Sequence, residues 1–132
     1  MIVVDASVMA NLVGDDGQDG RTARTRVVGE THLAAPDLID VKTVAVLRKR
    51  WRAGDLTARR FRAAVDDLLA LPLDRFPTGP LMIRAYELRS NVTPYDAAYV
   101  ALAESLGYPL LTADARLSRA PGIRCQVELL SN

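Results

Sequence analysis

Hydrophobic and polar positions along the chain fall into two alternating periods. Short apolar runs bounded by turn-forming residues predict strands at Met1 to Val4, Thr31 to Ala35, Leu71 to Phe76, Tyr108 to Thr112 and near Ile123 to Leu129. Between them, apolar residues recur at helical spacing. Helices are predicted over Ser7 to Val13, Arg21 to Glu30, Pro36 to about Ala53, Thr57 to Ala70, Leu81 to Arg89 and 94 to 106, with a short one from Ala115 to Arg119. The 94 to 106 helix has the clearest punctuation: Thr93 to cap it, Pro94 for its first position and Gly107 as a left-handed stop. The helix after Pro36 carries Leu38, Val41, Val44, Ala45, Leu47 and Trp51, which cover most of its circumference and predict a helix packed into the body of the protein. The stretch Gly14 to Gly20 reads as a solvated loop. Strands alternating with helices argue for an α/β fold with a mostly parallel sheet covered on both faces.

Composition narrows the function. A chain of 132 residues with 49% hydrophobic and 25% charged residues suits one domain, 1–132, with its own core and argues against disorder. The net charge of +1 gives no global attraction to nucleic acid, so any phosphate affinity has to be local. The densest basic run is Arg48-Lys49-Arg50-Trp51-Arg52, continued by Arg59, Arg60 and Arg62. A single cysteine, Cys125, excludes an internal disulfide and a cysteine-rich zinc site and agrees with a reducing compartment. No stretch approaches the roughly 18 apolar residues of a membrane span, and the amino terminus has no signal-peptide pattern, so a cytoplasmic protein is expected. His32, the only histidine, is assigned no chemistry. Asp15, Asp16 and Asp19 resemble a calcium loop only superficially, because arginines follow where a closing glutamate is needed.

Three other aspartates carry the candidate chemistry. Asp5 follows the first strand, Asp114 lies just past the strand ending at Thr112, and Asp96 falls in the first turn of the 94 to 106 helix. Singly, each suits a helix cap or a helix macrodipole. Together they converge on the carboxyl edge of the sheet, where open α/β folds place ligands. No glycine-rich phosphate loop is present, and one histidine does not make a Ser-His-Asp hydrolase. Clustered aspartates favour a hard divalent cation such as Mg²⁺ or Mn²⁺, which offsets their repulsion and can activate water against a phosphodiester.

The segments MIVVDASV, APDLIDV followed by VAVLRKR, and TPYDAAYVALAESLGYPLLTADARL resemble a PIN domain of the VapC toxin group over essentially the whole chain. The resemblance implies a three-layer α/β/α sandwich and a Mg²⁺- or Mn²⁺-dependent endoribonuclease that leaves a 5′-phosphate. It further implies Asp5, Asp96 and Asp114 as metal-binding and catalytic acids, Ser7 as a support for the first acid, a cognate VapB-like antitoxin and a homodimer. One family acid is missing: the glutamate expected on the helix after the second strand is Lys42 here. Asp40 lies roughly 200° from Lys42 in projection and does not replace it. A lysine there is expected to pair with Asp5 or Asp96 and to impair activity. Two readings stay open beside the ribonuclease: a non-catalytic module of the same fold that binds RNA or protein, and a nuclease acting on DNA.

Overall fold

The structure, a computed structural model, describes residues 1–131. Its elements are β1 (Ile2–Val4), α1 (Ala6–Gly14), α2 (Gln18–Val27), β2 (Leu33–Pro36), α3 (Ile39–Arg52), α4 (Ala58–Ala70), β3 (Leu73–Phe76), α5 (Met82–Glu87), α6 (Pro94–Leu106), β4 (Leu110–Thr112), α7 (Ala115–Ser118) and β5 (Val127–Leu129). A 3₁₀ turn over Gly79–Leu81 leads into α5. The strands form one parallel sheet in the order β3-β2-β1-β4-β5. Parallel neighbours need crossover helices, and right-handed crossovers put α1 to α4 on one face and α5 and α6 on the other. This agrees with the packing of α1 against α2, α3 and α4, and of α6 against α5, β1 and β2. The result is the expected α/β/α sandwich.

The core explains why β1 and β4 tolerate no polar interruption until their ends. Ile2, Val3, Val4, Leu110 and Leu111 are all buried, as expected of central parallel strands covered on both faces. Helix α6 buries every residue from Ala97 to Ala103. Its small alanines let it lie close against the sheet, and Gly107, at φ 69°, ends it.

Several boundaries differ from the sequence reading; β5 begins at Val127 and not near Ile123, and α5 is shorter at both ends. Pro36 closes β2 and does not open α3. The Asp37 N–H donates to the Phe76 carbonyl of β3 at 2.7 Å, so strand alternation turns the Pro36 nitrogen toward the β1 side, beyond the last β1–β2 pair at Val3 and Ala34. A missing N–H is harmless there. Helix α2 begins at Gln18 inside the expected loop, because Asp15 Oδ1 accepts from the Gly17 and Gly20 N–H groups and nucleates the first turn. It ends at Val27, and Glu30 instead pairs with Arg26 and with the terminal ammonium of Met1. Finally, α3 is not embedded. Only Ile39, Thr43 and Leu47 are buried, while Val41 and Trp51 are exposed.

Candidate active site

All strands point the same way, so their carboxyl ends share one edge. The chain leaves β1 toward β2 but returns to β1's other side as β4, which makes the β1–β4 boundary the switch point of the sheet. Asp5 and Asp114 stand there. Asp96 arrives from the amino-terminal turn of α6, and Lys42 from the first turns of α3.

Asp5 is almost fully enclosed, at 4% exposure. It caps α1, with Oδ1 accepting from the Val8 N–H at 3.1 Å and from Ser7 Oγ at 2.6 Å, while Oδ2 accepts from Thr112 Oγ1. Ser7 and Thr112 in turn accept from the Ala113 and Asp114 N–H groups, each at 3.0 Å. These bonds lock the end of β1 to the end of β4 around one carboxylate. Burial pushes the Asp5 carboxyl pKa up; the bonds from Ser7, Thr112 and Val8 oppose this, and the charge of Asp96 adds to it. Thr112 was not singled out from the sequence, although a threonine ending an apolar strand beside a candidate acid was its signal.

Asp96 is half-buried, and its N–H donates to the capping Thr93 hydroxyl at 3.2 Å. Burial and then the Asp114 charge raise its pKa, against the pull of Lys42. Asp114 caps α7 and is bound by Arg116, through the backbone N–H at 2.9 Å and a guanidinium nitrogen at 3.2 Å. The Arg116 side chain is therefore the first cause of its lowered pKa. Asp96, Asp114, Arg116, Thr93 and Asn91 line a cleft of about 190 Å³. The sequence reading did not anticipate Arg116 at this site.

Lys42 does not make the expected ion pair with Asp5 or Asp96. Its Nζ lies 4.3 Å from the centroid of the Tyr95 ring, and among the described residues no carboxylate is bridged to it. The aromatic face captures the ammonium at the site's margin, so its charge reaches Asp96 without direct contact. Asp40 forms an ion pair with Arg75 at 2.9 Å, occupied elsewhere as its helical position requires. Beneath the acids, the Tyr99 hydroxyl is buried with the Ala6 backbone N–H beside it; the buried Thr43 hydroxyl of α3 has no hydrogen-bond partner among the described residues. Burial first, then the charges of Asp5 and Asp96, push the Tyr99 phenol pKa far up, so it stays protonated.

Oxygen-only donors that repel one another and hold their protons too tightly suit a hard cation. Asp5 and Asp96 meet that description. Asp114 meets it only when Arg116 lets go, and among the described residues no three His, Cys, Asp or Glu side chains stand close enough to hold a metal as they are. The pair of carboxylates fits; the full triad is not assembled in this state.

A parallel sheet in this order with acids at its switch point defines a class: the PIN domain family model matches residues 2–123, and the chain belongs to that family. Its full-length relatives place it more narrowly, among the VapC ribonucleases. It is 39% identical over 131 residues to Ribonuclease VapC12 of Mycobacterium tuberculosis, covering 99% of this chain and 100% of the relative. To Ribonuclease VapC1 of the same organism it is 38% identical over 129 residues, covering 97% and 96%. Among solved structures, Mycobacterium tuberculosis VapC20, a sarcin-ricin loop cleaving toxin, superposes with a TM-score of 0.72 at 20% identity, over 94% of this chain and 97% of that one. VapBC2 from Rickettsia felis, bound to a promoter DNA fragment, gives 0.70 at 12% identity, over 99% and 100%. At these identities the two structures speak to the fold.

Proposed function

We propose that this chain is the toxin of a VapBC-type toxin-antitoxin pair, an endoribonuclease that acts as a single PIN domain over residues 1–132. The observation that carries the reading is the pair Asp5 and Asp96, brought to the switch point with proton affinities raised by burial and by neighbouring charge. Asp5 and Asp96 would hold Mg²⁺ or Mn²⁺, and Asp114 would complete the site directly or through water once Arg116 releases it. Such an ion supplies an activated water and neutralises charge on a phosphodiester oxygen. Ser7 and Val8 hold Asp5 Oδ1 while Thr112 holds Oδ2, which keeps a free lone pair, and the Tyr99 hydroxyl adds a neutral polar floor. Arg116 and Lys42 offer positive charge to the phosphates of the strand.

In this reading the protein is cytoplasmic, pairs with a VapB-like antitoxin and forms a homodimer. The Rickettsia VapBC2 and Neisseria gonorrhoeae FitAcB structures support the antitoxin, being assemblies with similar folds. No helix among the described residues is long and apolar enough to cross a membrane.

Cleavage of a mixed RNA pool in Mg²⁺ or Mn²⁺ tests the assignment. Wild type is expected to cut, and Asp5→Asn and Asp96→Asn to lose about two or more orders of magnitude while remaining folded. Full cleavage by both variants rejects the assignment. A second reading, a non-catalytic binding module, is favoured by Arg116 on Asp114 and by lysine in place of the expected acid. It gains if RNA binds but neither wild type nor Lys42→Glu cuts it.

A further inference from the structure

We propose that Tyr95 is a stacking platform for an unpaired base of the RNA beside the reacting phosphate, and that Lys42 covers this platform until a phosphate draws it away. This rests on the ribonuclease reading above and adds to it the recognition of single-stranded RNA. Tyr95 is the second residue of α6 and the immediate neighbour of Asp96, yet it is 56% exposed in a chain only 5% aromatic. The core already holds Tyr99, from the same helix, at 1% exposure. Tyr95 therefore places an aromatic surface in solvent at the edge of an acid site, where it contributes little to folding.

That surface is in use. Lys42 Nζ sits 4.3 Å from the ring centroid although the Asp96 carboxylate is close enough to feel its charge. An exposed cation–π contact is weak and easily exchanged. A phosphodiester carries a full negative charge and accepts hydrogen bonds, both of which an ammonium prefers over a neutral ring. As the strand enters, Lys42 moves from ring to phosphate and the vacated ring takes a base; Arg116 supplies a second cation at the same acids. One residue thus links backbone contact to base contact. A carboxylate at position 42 can do neither, which gives the lysine a role of its own beyond the loss of an acid.

Every base has a π-face, so stacking on Tyr95 raises affinity with little sequence preference. It also requires the base to be unpaired, as in loops and single-stranded RNA. The base takes no part in proton or group transfer, so Tyr95 is a positioning residue.

The test uses full-length protein with Ca²⁺ in place of Mg²⁺ and a short single-stranded RNA carrying 2-aminopurine, whose emission falls on stacking. Wild type and Tyr95→Phe are expected to bind with equal quenching. Tyr95→Leu is expected to melt as wild type does but to bind roughly 5- to 100-fold more weakly, without quenching, while a duplex of the same sequence is expected not to distinguish the three. Lys42→Met is expected to keep the quenching but to lower the slope of log affinity against log salt by about one. Unchanged emission at saturation, equal single-strand affinity of Tyr95→Leu and wild type, or no binding by wild type overturns the proposal. In the first two cases, continued cleavage of the RNA pool leaves the ribonuclease reading standing; absence of both binding and cleavage removes both.

Discussion

At the scale of single residues, the site is a contest between burial and charge. Asp96 carries a raised pKa, so its ionisation is more costly in the folded chain than in the unfolded one. Its folded state is therefore favoured while it is protonated, fully so below the ordinary aspartate value of 3.8, and that contribution is lost as pH rises through the raised value. Asp96→Asn should accordingly raise the metal-free melting temperature at pH 7. The advantage should vanish as pH falls below the unfolded carboxylate range. Melting curves of both proteins in chelator from pH 3 to 8 check this, and a variant no more stable at pH 7 counts against the burial argument. Asp114 has the opposite sign: Arg116 lowers its pKa, so its contribution is present above the unfolded value and lost as pH falls through the folded one. Lys42 marks the same contest. Lys42→Glu changes the local charge by two units, and is expected to raise Mn²⁺ affinity and RNA cleavage about tenfold or more while lowering metal-free stability. Calorimetry and cleavage on the paired proteins read it. Equal metal affinity would place position 42 outside the metal's reach.

At the scale of elements, α6 was the most legible and α3 the least. Thr93, Pro94 and Gly107 punctuate α6 with local signals that tertiary context does not override, and its termini are those the sequence predicts. The capping threonine accepts from the Asp96 N–H, so the device that starts the helix also orients the acid. In α3 the apolar residues are spread around the helix, and periodicity did not show that Val41 and Trp51 would face outward. Pro36 was read as a helix start because proline suits that position; equally, it suits a strand end past its neighbour's last pair. The choice depends on where β1 stops. In α3, the Thr43 hydroxyl is buried without a hydrogen-bond partner among the described residues. Removing an unsatisfied buried hydroxyl is expected to be neutral or stabilising, so Thr43→Val should raise unfolding free energy by about 0 to 1 kcal/mol. Denaturant titration measures it, and a loss of about 1 kcal/mol or more would show that the hydroxyl is hydrogen-bonded in solution.

At the scale of the whole molecule, the sheet order determines what the acids can do. Asp5 and Asp114 are far apart in the chain, and only the return of β4 to the side of β1 brings their elements together. Ion pairs such as Arg84–Glu104 at 2.7 Å and Arg26–Glu128 tie helices and strand ends on the periphery; being partly exposed, they stabilise modestly and dictate no chemistry. The proposed assembly is tested at this scale. Light scattering at micromolar concentration is expected to show a dimer, and affinity capture from the source cell a small partner that suppresses cleavage. A monomer with no inhibitory partner contradicts the toxin reading.

The sequence by itself determined the alternation of strands and helices, the caps of α6, and the three aspartates at strand ends and a helix start, because period, capping and turn chemistry act over a few residues. It also marked position 42 as the departure from the family pattern. Only the tertiary structure decided which donors surround Asp5, that Arg116 holds Asp114, that Tyr99 lies beneath the acids, and that Lys42 rests on Tyr95 instead of pairing with a carboxylate. Those outcomes depend on distances between side chains remote in sequence and on the burial they share. Both are set by the order of strands and the packing of helices over them, which local periodicity does not encode.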